Sequence, residues 1–164
     1  MRKQIVLAGA LLAIATAAAA HHGRLQEHLL KVDVTSAGRF AAGGEGFVRT
    51  AGQAPVRGTA ALLEATDRVP LRIGERFGFC FEVSGFLEDG EGELQKIVTH
   101  PAVAVGGARV EGFVQEIALD VTGGKASACI GHTLATAQDL IPGRWTIALG
   151  AGETTLAERA FILE

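Results

Sequence analysis

Two adjacent histidines, His21 and His22, follow an apolar N-terminal run that ends in alanines. If a signal peptidase cuts after Ala20, the new chain begins with His21, whose amine and imidazole can chelate one metal ion. A further imidazole would complete a three-nitrogen set that suits Cu(II). The candidates for it are His28, His100 and His132. If the cut follows Ala19, His22 is third in the chain, and an amine, two deprotonated amides and its imidazole can hold Cu(II) or Ni(II) in a plane. Copper at His21 and His22 is therefore predicted as the alternative to a histidine-containing leader that holds no cofactor.

Cys80 and Cys129 are the two cysteines of the chain. If their strands are neighbours, the two can form a disulfide, which persists in exported proteins. In the chain-entropy model, a loop of about 50 residues closed in this way stabilises the fold by roughly 2–4 kcal/mol. The alternatives are two separate free thiols or two buried ones. No Cys-x-x-Cys is present, so a redox-active pair is not indicated.

The other reactive side chains match no catalytic pattern. Ser84 lacks the Gly-x-Ser-x-Gly context of hydrolase nucleophiles, and the many glycines form no phosphate-loop pattern. The acidic run 88–93 lacks EF-hand spacing, so a solvated turn is favoured over calcium binding there. His100 and His132 have no zinc spacing and are expected at the surface or the edge of the core. We expect a non-catalytic protein, with an undetected hydrolase as the enzymatic alternative.

Residues 1–20 have the three parts of a secretory signal: a basic start, an apolar run and an Ala-x-Ala end. Removing these 20 residues from the 164 leaves 144, with 13 of the 15 basic residues against 18 acidic ones, a formal net charge of −5. That charge argues against nucleic acid as a partner. No later segment is apolar and long enough to span a bilayer. We expect a periplasmic or secreted protein whose partner is an unidentified protein or envelope component.

The elements that must position these residues are strands. In the segment 75–84, four large apolar side chains recur at every second position, which predicts a half-buried antiparallel strand; they are Phe77, Phe79, Phe81 and Val83. Cys80 lies on its other face. Further strands are predicted at 59–66 and at 94–99, where Pro101 ends the run.

The C-terminal segment predicts a hairpin with its turn at Gly150–Gly152. Seven to nine short strands, with turn signals about every ten residues, predict an all-β, immunoglobulin-like sandwich. Residues 21–30 are expected to form a flexible leader and residues 31–164 the sandwich domain.

Two segments resemble a bacterial family, the domain of unknown function 3859. They are Val69 to Gly85 (VPLRIGERFGFCFEVSG) and a C-terminal pair, Ile141–Trp145 (IPGRW) with Leu156–Phe161 (LAERAF). The resemblance spans about Lys31 to Glu164. It implies a small exported β domain, and it assigns no activity and no site residues.

Overall fold

The computed structural model describes residues 30–41, 47 and 60–164, and nine strands lie within them. In chain order they are β1 (Lys31–Phe40), β2 (Leu62–Glu64), β3 (Arg68–Val69), β4 (Arg76–Ser84), β5 (Gly90–Val105), β6 (Ala108–Val121), β7 (Lys125–Thr133), β8 (Gly143–Ala151) and β9 (Thr154–Leu163). One short 3-10 helix, Ala137–Asp139, follows β7.

The strands form two sheets. The first has the order β2-β1-β4-β7 and the second the order β3-β9-β8-β5-β6. Every pairing between neighbouring strands is antiparallel except that of the two-residue β3 with β9. The expected all-β sandwich is confirmed.

The core lies between the sheets, where the apolar rows of the strands meet. The row predicted on β4 is fully buried, and it is formed by Phe77, Phe79, Phe81 and Val83. A second buried row comes from β8 and consists of Trp145, Ile147 and Leu149. Full burial of each such side chain contributes roughly 1.5–3 kcal/mol, which makes these two rows a large part of the stabilisation.

The outer face of β4 is also buried at its centre, which differs from the half-buried strand expected. Cys80 has no exposed surface there, because a second small cluster covers it. That cluster consists of Phe40, Phe47, Cys80 and Cys129, with Ala60 packed against it. A strand with apolar groups on both faces is thus covered on both sides.

Pro101 does not end its strand, contrary to expectation: β5 continues to Val105. The register of β5 with β6 is irregular between Thr99 and Val103, and β8 pairs with β5 only from Gln95 to Thr99. Pro101 therefore lies where neither ladder is regular, so its missing N–H is tolerated.

Three further boundaries differ from the sequence expectation. The strand expected at 59–66 shrinks to the exposed edge strand β2. The expected acidic turn is shorter, because β5 already begins at Gly90, and Asp89 accepts a hydrogen bond from the Gly124 N–H at 3.0 Å. The C-terminal turn lies at residues 152–153, between β8 and β9.

Candidate functional site

A lysine occupies one position of an otherwise apolar inward row on β5. Leu94 and Val98 lie on either side of Lys96 in this row, and both are buried. Lys96 itself is only 9% exposed. Side chains alternate between the two faces of a strand, so the ammonium group of Lys96 is directed toward the interior of the sandwich.

Few protein groups solvate the Lys96 ammonium group in place of water. Its Nζ donates a long hydrogen bond of 3.4 Å to the carbonyl of Gly131 on β7, and it lies 5.5 Å from the ring centre of Phe113 on β6. Among the described residues it forms no ion pair with a carboxylate. Burial lowers the pKa of Lys96 from its ordinary value, because the charged form is poorly solvated there.

Arg76, the first residue of β4, supplies a second cation beside it. Its Nε donates to the Thr133 hydroxyl at 2.8 Å, since Arg76 and Thr133 are directly paired across β4 and β7. The guanidinium carbon lies 4.9 Å from the ring centre of Phe47. Nη1 of Arg76 is buried and has no hydrogen-bond partner among the described residues. One strong donor of Arg76 is thus left unsatisfied.

His132 precedes Thr133 on β7 and lies among aromatic rings. Its ring centre is 5.0 Å from that of Trp145 and 5.9 Å from that of Phe113. Nε2 is buried without a hydrogen-bond partner, and the nearest described carboxylate oxygen, Oδ1 of Asp139, lies 3.5 Å away, too far for a good hydrogen bond. Burial lowers the pKa of His132. The positive charge of Lys96 lowers this pKa further, whereas Asp139 raises it.

Asp139 is already committed to the turn that precedes the 3-10 helix. Its Oδ2 accepts hydrogen bonds from the Ala135 N–H at 3.1 Å, the Thr136 N–H at 2.7 Å and the Thr136 hydroxyl at 2.9 Å. Although burial opposes ionisation, these hydrogen bonds and His132 keep the pKa of Asp139 below its usual value. Asp139 therefore stays ionised but is shared among several donors.

Together these groups form a cleft of about 210 Å³ at the edge of β7, which we call the β7 cleft. Its lining, within the part of the chain that the structure describes, is Phe47, Arg76, Lys96, Gly131, His132 and Thr133. Two of these residues are cations and a third can become one, whereas none carries a carboxylate. Such a lining offers charged donors to an anion, whereas its two basic side chains would repel a metal cation.

Gly131 is needed at this place for steric reasons. A Cβ atom built on it would lie 2.6 Å from a ring carbon of Phe47 and 2.4 Å from the carbonyl oxygen of Phe77. Glycine therefore lets Phe47 close one side of the β7 cleft and leaves the Gly131 carbonyl accessible to Lys96.

The disulfide expected between Cys80 and Cys129 is confirmed. The two residues are direct partners across β4 and β7, with an S–S distance of 1.99 Å. The Ala60 N–H lies 3.1 Å from the Cys129 Sγ, and Phe47 packs in the same cluster. The disulfide thus joins the two strands that bring Arg76 and His132 to the β7 cleft.

The predicted metal site lies outside the described residues, because His21, His22 and His28 are not among them. The rings of both described histidines pack against Trp145. The distance between ring centres is 4.9 Å for His100 and 5.0 Å for His132. Within residues 30–41, 47 and 60–164, no group of three or more His, Cys, Asp or Glu side chains is placed to hold a metal ion. Copper binding at His21 and His22 stays a prediction.

Sequence reasoning treated His100 and His132 separately and did not select Lys96 or Arg76. The signal for Lys96 was present, because it interrupts the row Leu94, Lys96, Val98 at the position of an apolar residue. Arg76 and Thr133 had no such signal, since only the register of β4 with β7 places them side by side.

No helix within the described part of the chain is long and apolar enough to cross a membrane. The one helix in the described part is the three-residue 3-10 helix Ala137–Asp139.

The fold is similar to that of several solved structures. An immunoglobulin-like protein from Pseudomonas aeruginosa is 20% identical, covers 82% of this chain and 96% of its own, and superposes with a TM-score of 0.59. This similarity confirms the expected immunoglobulin-like sandwich. A β-glucosidase from Listeria innocua is less similar, at 10% identity and a TM-score of 0.44 over 82% of this chain and 16% of its own. An alkylpurine DNA glycosylase from Pseudomonas fluorescens is 11% identical and has a TM-score of 0.45. The match covers 88% of this chain and 36% of the glycosylase chain.

No curated protein matches the sequence. The family described as domain of unknown function (DUF3859) matches residues 45–163, which includes the segment 101–138 that lies between the two resembling segments. The match begins later than the Lys31 start suggested by the resemblance, yet it covers most of the chain. The chain therefore belongs to the DUF3859 family.

Proposed function

We propose that this protein is an exported, non-catalytic binding module of the cell envelope, which holds an anionic group of its ligand in the β7 cleft. The observation that carries the proposal is Lys96, a buried ammonium group without a carboxylate partner among the described residues.

A buried charge without a partner destabilises a fold by several kcal/mol in general, so proteins normally pair it or leave it in water. Among the described residues, Lys96 has only a long hydrogen bond to a carbonyl, and neither Arg76 Nη1 nor His132 Nε2 beside it has a hydrogen-bond partner. An anion in the β7 cleft would satisfy all three groups at once. Binding would then recover the electrostatic free energy that folding gives up.

In a second cleft, of about 380 Å³, the basic side chains are paired with carboxylates of the same chain. It includes Arg39 and Glu64, whose side chains are 2.8 Å apart, and Arg68 and Glu164, at 2.5 Å. Each of these cations already faces a carboxylate. The β7 cleft differs because, among its described lining residues, Arg76 and Lys96 have no carboxylate beside them.

The lining also favours binding over catalysis. Among the described lining residues Thr133 carries the one hydroxyl, and that oxygen accepts a hydrogen bond from Arg76. His132 packs on aromatic rings, and its Nε2 activates no hydroxyl or thiol among the described residues. Neither a nucleophile with its base nor a pair of carboxylates is found in the described lining.

Two features support an exported location. The segment 1–20 has the composition of a secretory signal. The Cys80–Cys129 disulfide is a bond that persists in oxidising compartments. An envelope component is therefore the expected partner.

The test is a nuclear magnetic resonance titration of the mature protein with sulfate at constant ionic strength. We expect saturable shifts of the backbone amides of Gly131, His132 and Thr133. Lys96→Met should weaken binding at least tenfold, because it removes the buried cation and keeps the length of the side chain. Lys125→Met is the matched control: Lys125 is also on β7, but it is exposed and paired with Glu82 at 3.0 Å. Shifts that do not saturate, or equal weakening in both variants, would contradict the proposal.

A further inference from the structure

The number of charges in the β7 cleft distinguishes between kinds of anion. Arg76 and Lys96 are the two basic side chains beside Thr133 and His132, and the described lining has no carboxylate to offset either one. A carboxylate ligand would neutralise one of them. A phosphate monoester carries a charge of about −1.5 to −2 near pH 7, which matches both.

The directions of the donors also favour a tetrahedral group. Arg76 comes from β4, Lys96 from β5 and His132 from β7, so the three donors belong to three strands of two different sheets. Nε of Arg76 is hydrogen-bonded to the Thr133 hydroxyl, which leaves the Nη1 end of the guanidinium as one of three donor groups around the anion. Single donors from several directions suit an anion with three terminal oxygens.

The size of the β7 cleft limits what enters it. Its volume of about 210 Å³ lies below the range of roughly 300–1,000 Å³ that encloses a whole drug-sized ligand. The rest of a larger ligand must therefore lie outside. Phe113 offers an exposed apolar ring beside the cleft, since it is 40% exposed and its ring centre is 5.5 Å from Lys96 Nζ and 5.9 Å from the centre of the His132 ring.

We propose that the β7 cleft binds a terminal phosphate monoester borne on a sugar ring, and that the ring packs against Phe113. This inference rests on the proposed function, since it specifies which anion the same cleft takes. The phosphate accepts hydrogen bonds from Arg76, Lys96 and the Thr133 hydroxyl or His132, and the apolar face of the sugar covers the exposed aromatic ring.

The experiment compares two sugars that differ only in their anionic group, glucose 6-phosphate and glucuronate, with inorganic phosphate and glucose as further probes. Binding to the mature protein is measured by calorimetry at constant ionic strength and pH 7.5. We expect glucose 6-phosphate to bind at least tenfold more tightly than glucuronate, and glucose not to bind. Phe113→Ala should weaken glucose 6-phosphate at least fivefold more than it weakens inorganic phosphate, because only the sugar would lose its contact with the ring. The matched control is Val114→Ala, since Val114 is the exposed neighbour of Phe113 on the opposite face of β6.

Each contrary outcome has a distinct meaning. Equal affinities for glucuronate and glucose 6-phosphate would overturn the preference for phosphate and leave anion binding intact. If Phe113→Ala changed neither phosphate ligand, the sugar ring would not contact Phe113. Uptake on vesicles that contain phosphatidic acid, without affinity for the sugar phosphate, would assign the phosphate to a lipid and overturn the sugar. Absence of binding to every anion, sulfate included, would overturn the proposed function itself.

Discussion

At the scale of single residues, the buried charge of Lys96 lowers the stability of the fold but would favour the binding of an anion. Its side chain fills an apolar position between Leu94 and Val98, while its charge has no counter-ion among the described residues. An apolar residue of similar shape would satisfy that position better. A group that a fold retains against its own stability is a candidate for function.

We therefore expect Lys96→Met to raise the free energy of unfolding by about 1–2 kcal/mol in the absence of ligand, because it removes a poorly solvated charge. Urea denaturation followed by Trp145 fluorescence measures the change. Lys125→Met, at an exposed position, should stay within about 0.5 kcal/mol of the wild type. A Lys96→Met protein that is less stable than the wild type would contradict this account of the β7 cleft.

His132 makes stability depend on pH. Its pKa in the folded protein is lowered, first by burial and then by Lys96 and His100, although Asp139 opposes the shift. The unfolded chain, with the ordinary value near 6.5, binds a proton that the folded chain does not. Stability is therefore complete above about pH 6.5 and falls as the pH drops from there toward the folded value.

The expected decrease is measured by urea denaturation between pH 7.5 and pH 5. His132→Gln should flatten the curve in this range, whereas His100→Gln should retain most of the slope. An unchanged slope in His132→Gln would contradict the assignment of the pH dependence to His132.

At the scale of elements, the pairing of β4 with β7 builds the site. Direct pairing sets Arg76 opposite Thr133 and Cys80 opposite Cys129 on the same two strands. Phe47 contacts both places, since it packs in the disulfide cluster and lies beneath the Arg76 guanidinium. The disulfide and the β7 cleft are therefore mechanically connected.

Replacing both cysteines by alanine should lower the free energy of unfolding by about 2–4 kcal/mol, because the unfolded chain regains the entropy of a long loop. Chemical denaturation of the oxidised wild type and of the double variant measures the difference. The reduced wild type is the control and should resemble the variant. Equal stability of the oxidised wild type and the variant would contradict a stabilising role for the bond.

The elements were largely predictable, because strand positions depend on local alternation and turns. The β4 row and the C-terminal hairpin follow from period two and glycine alone. The continuation of β5 past Pro101 did not follow, since it depends on the irregular pairing with β6 and on where β8 stops. The extra burial of Cys80 likewise depends on Phe40 and Phe47, which are distant in sequence.

At the scale of the whole molecule, the chain combines a two-sheet domain with an N-terminal segment for which metal binding is predicted from the sequence. Export would place His21 or Ala20 at a new terminus. If the chain begins at Ala20, the metal chemistry expected there needs only the amine, two amides and the imidazole of His22. If it begins at His21, His28, His100 or His132 would supply the further imidazole, and His132 also lines the β7 cleft.

The mass of the exported protein should show a terminus at Ala20 or His21, and the terminus decides which histidine matters for copper. If the chain begins at His21, His21→Ala should weaken Cu(II) binding at least tenfold; if it begins at Ala20, His22→Ala should do so. Copper titration of both variants measures this, with Lys125→Met as the control, because Lys125 is exposed and is not a candidate ligand. Unchanged affinity in both variants would exclude the predicted copper site.

The sequence alone determined the all-β class, the strand that carries the core and the chance of a disulfide, because alternation, turn residues and cysteine number are local or countable properties. Only the tertiary structure decided that Arg76, Lys96 and His132 share one cleft. They come from three strands in two sheets, and their proximity depends on register and on how the sheets pack. A lone lysine in an apolar row marks an anomaly in a sequence, but it becomes a candidate site when the fold shows that its charge is buried without a carboxylate among the described residues.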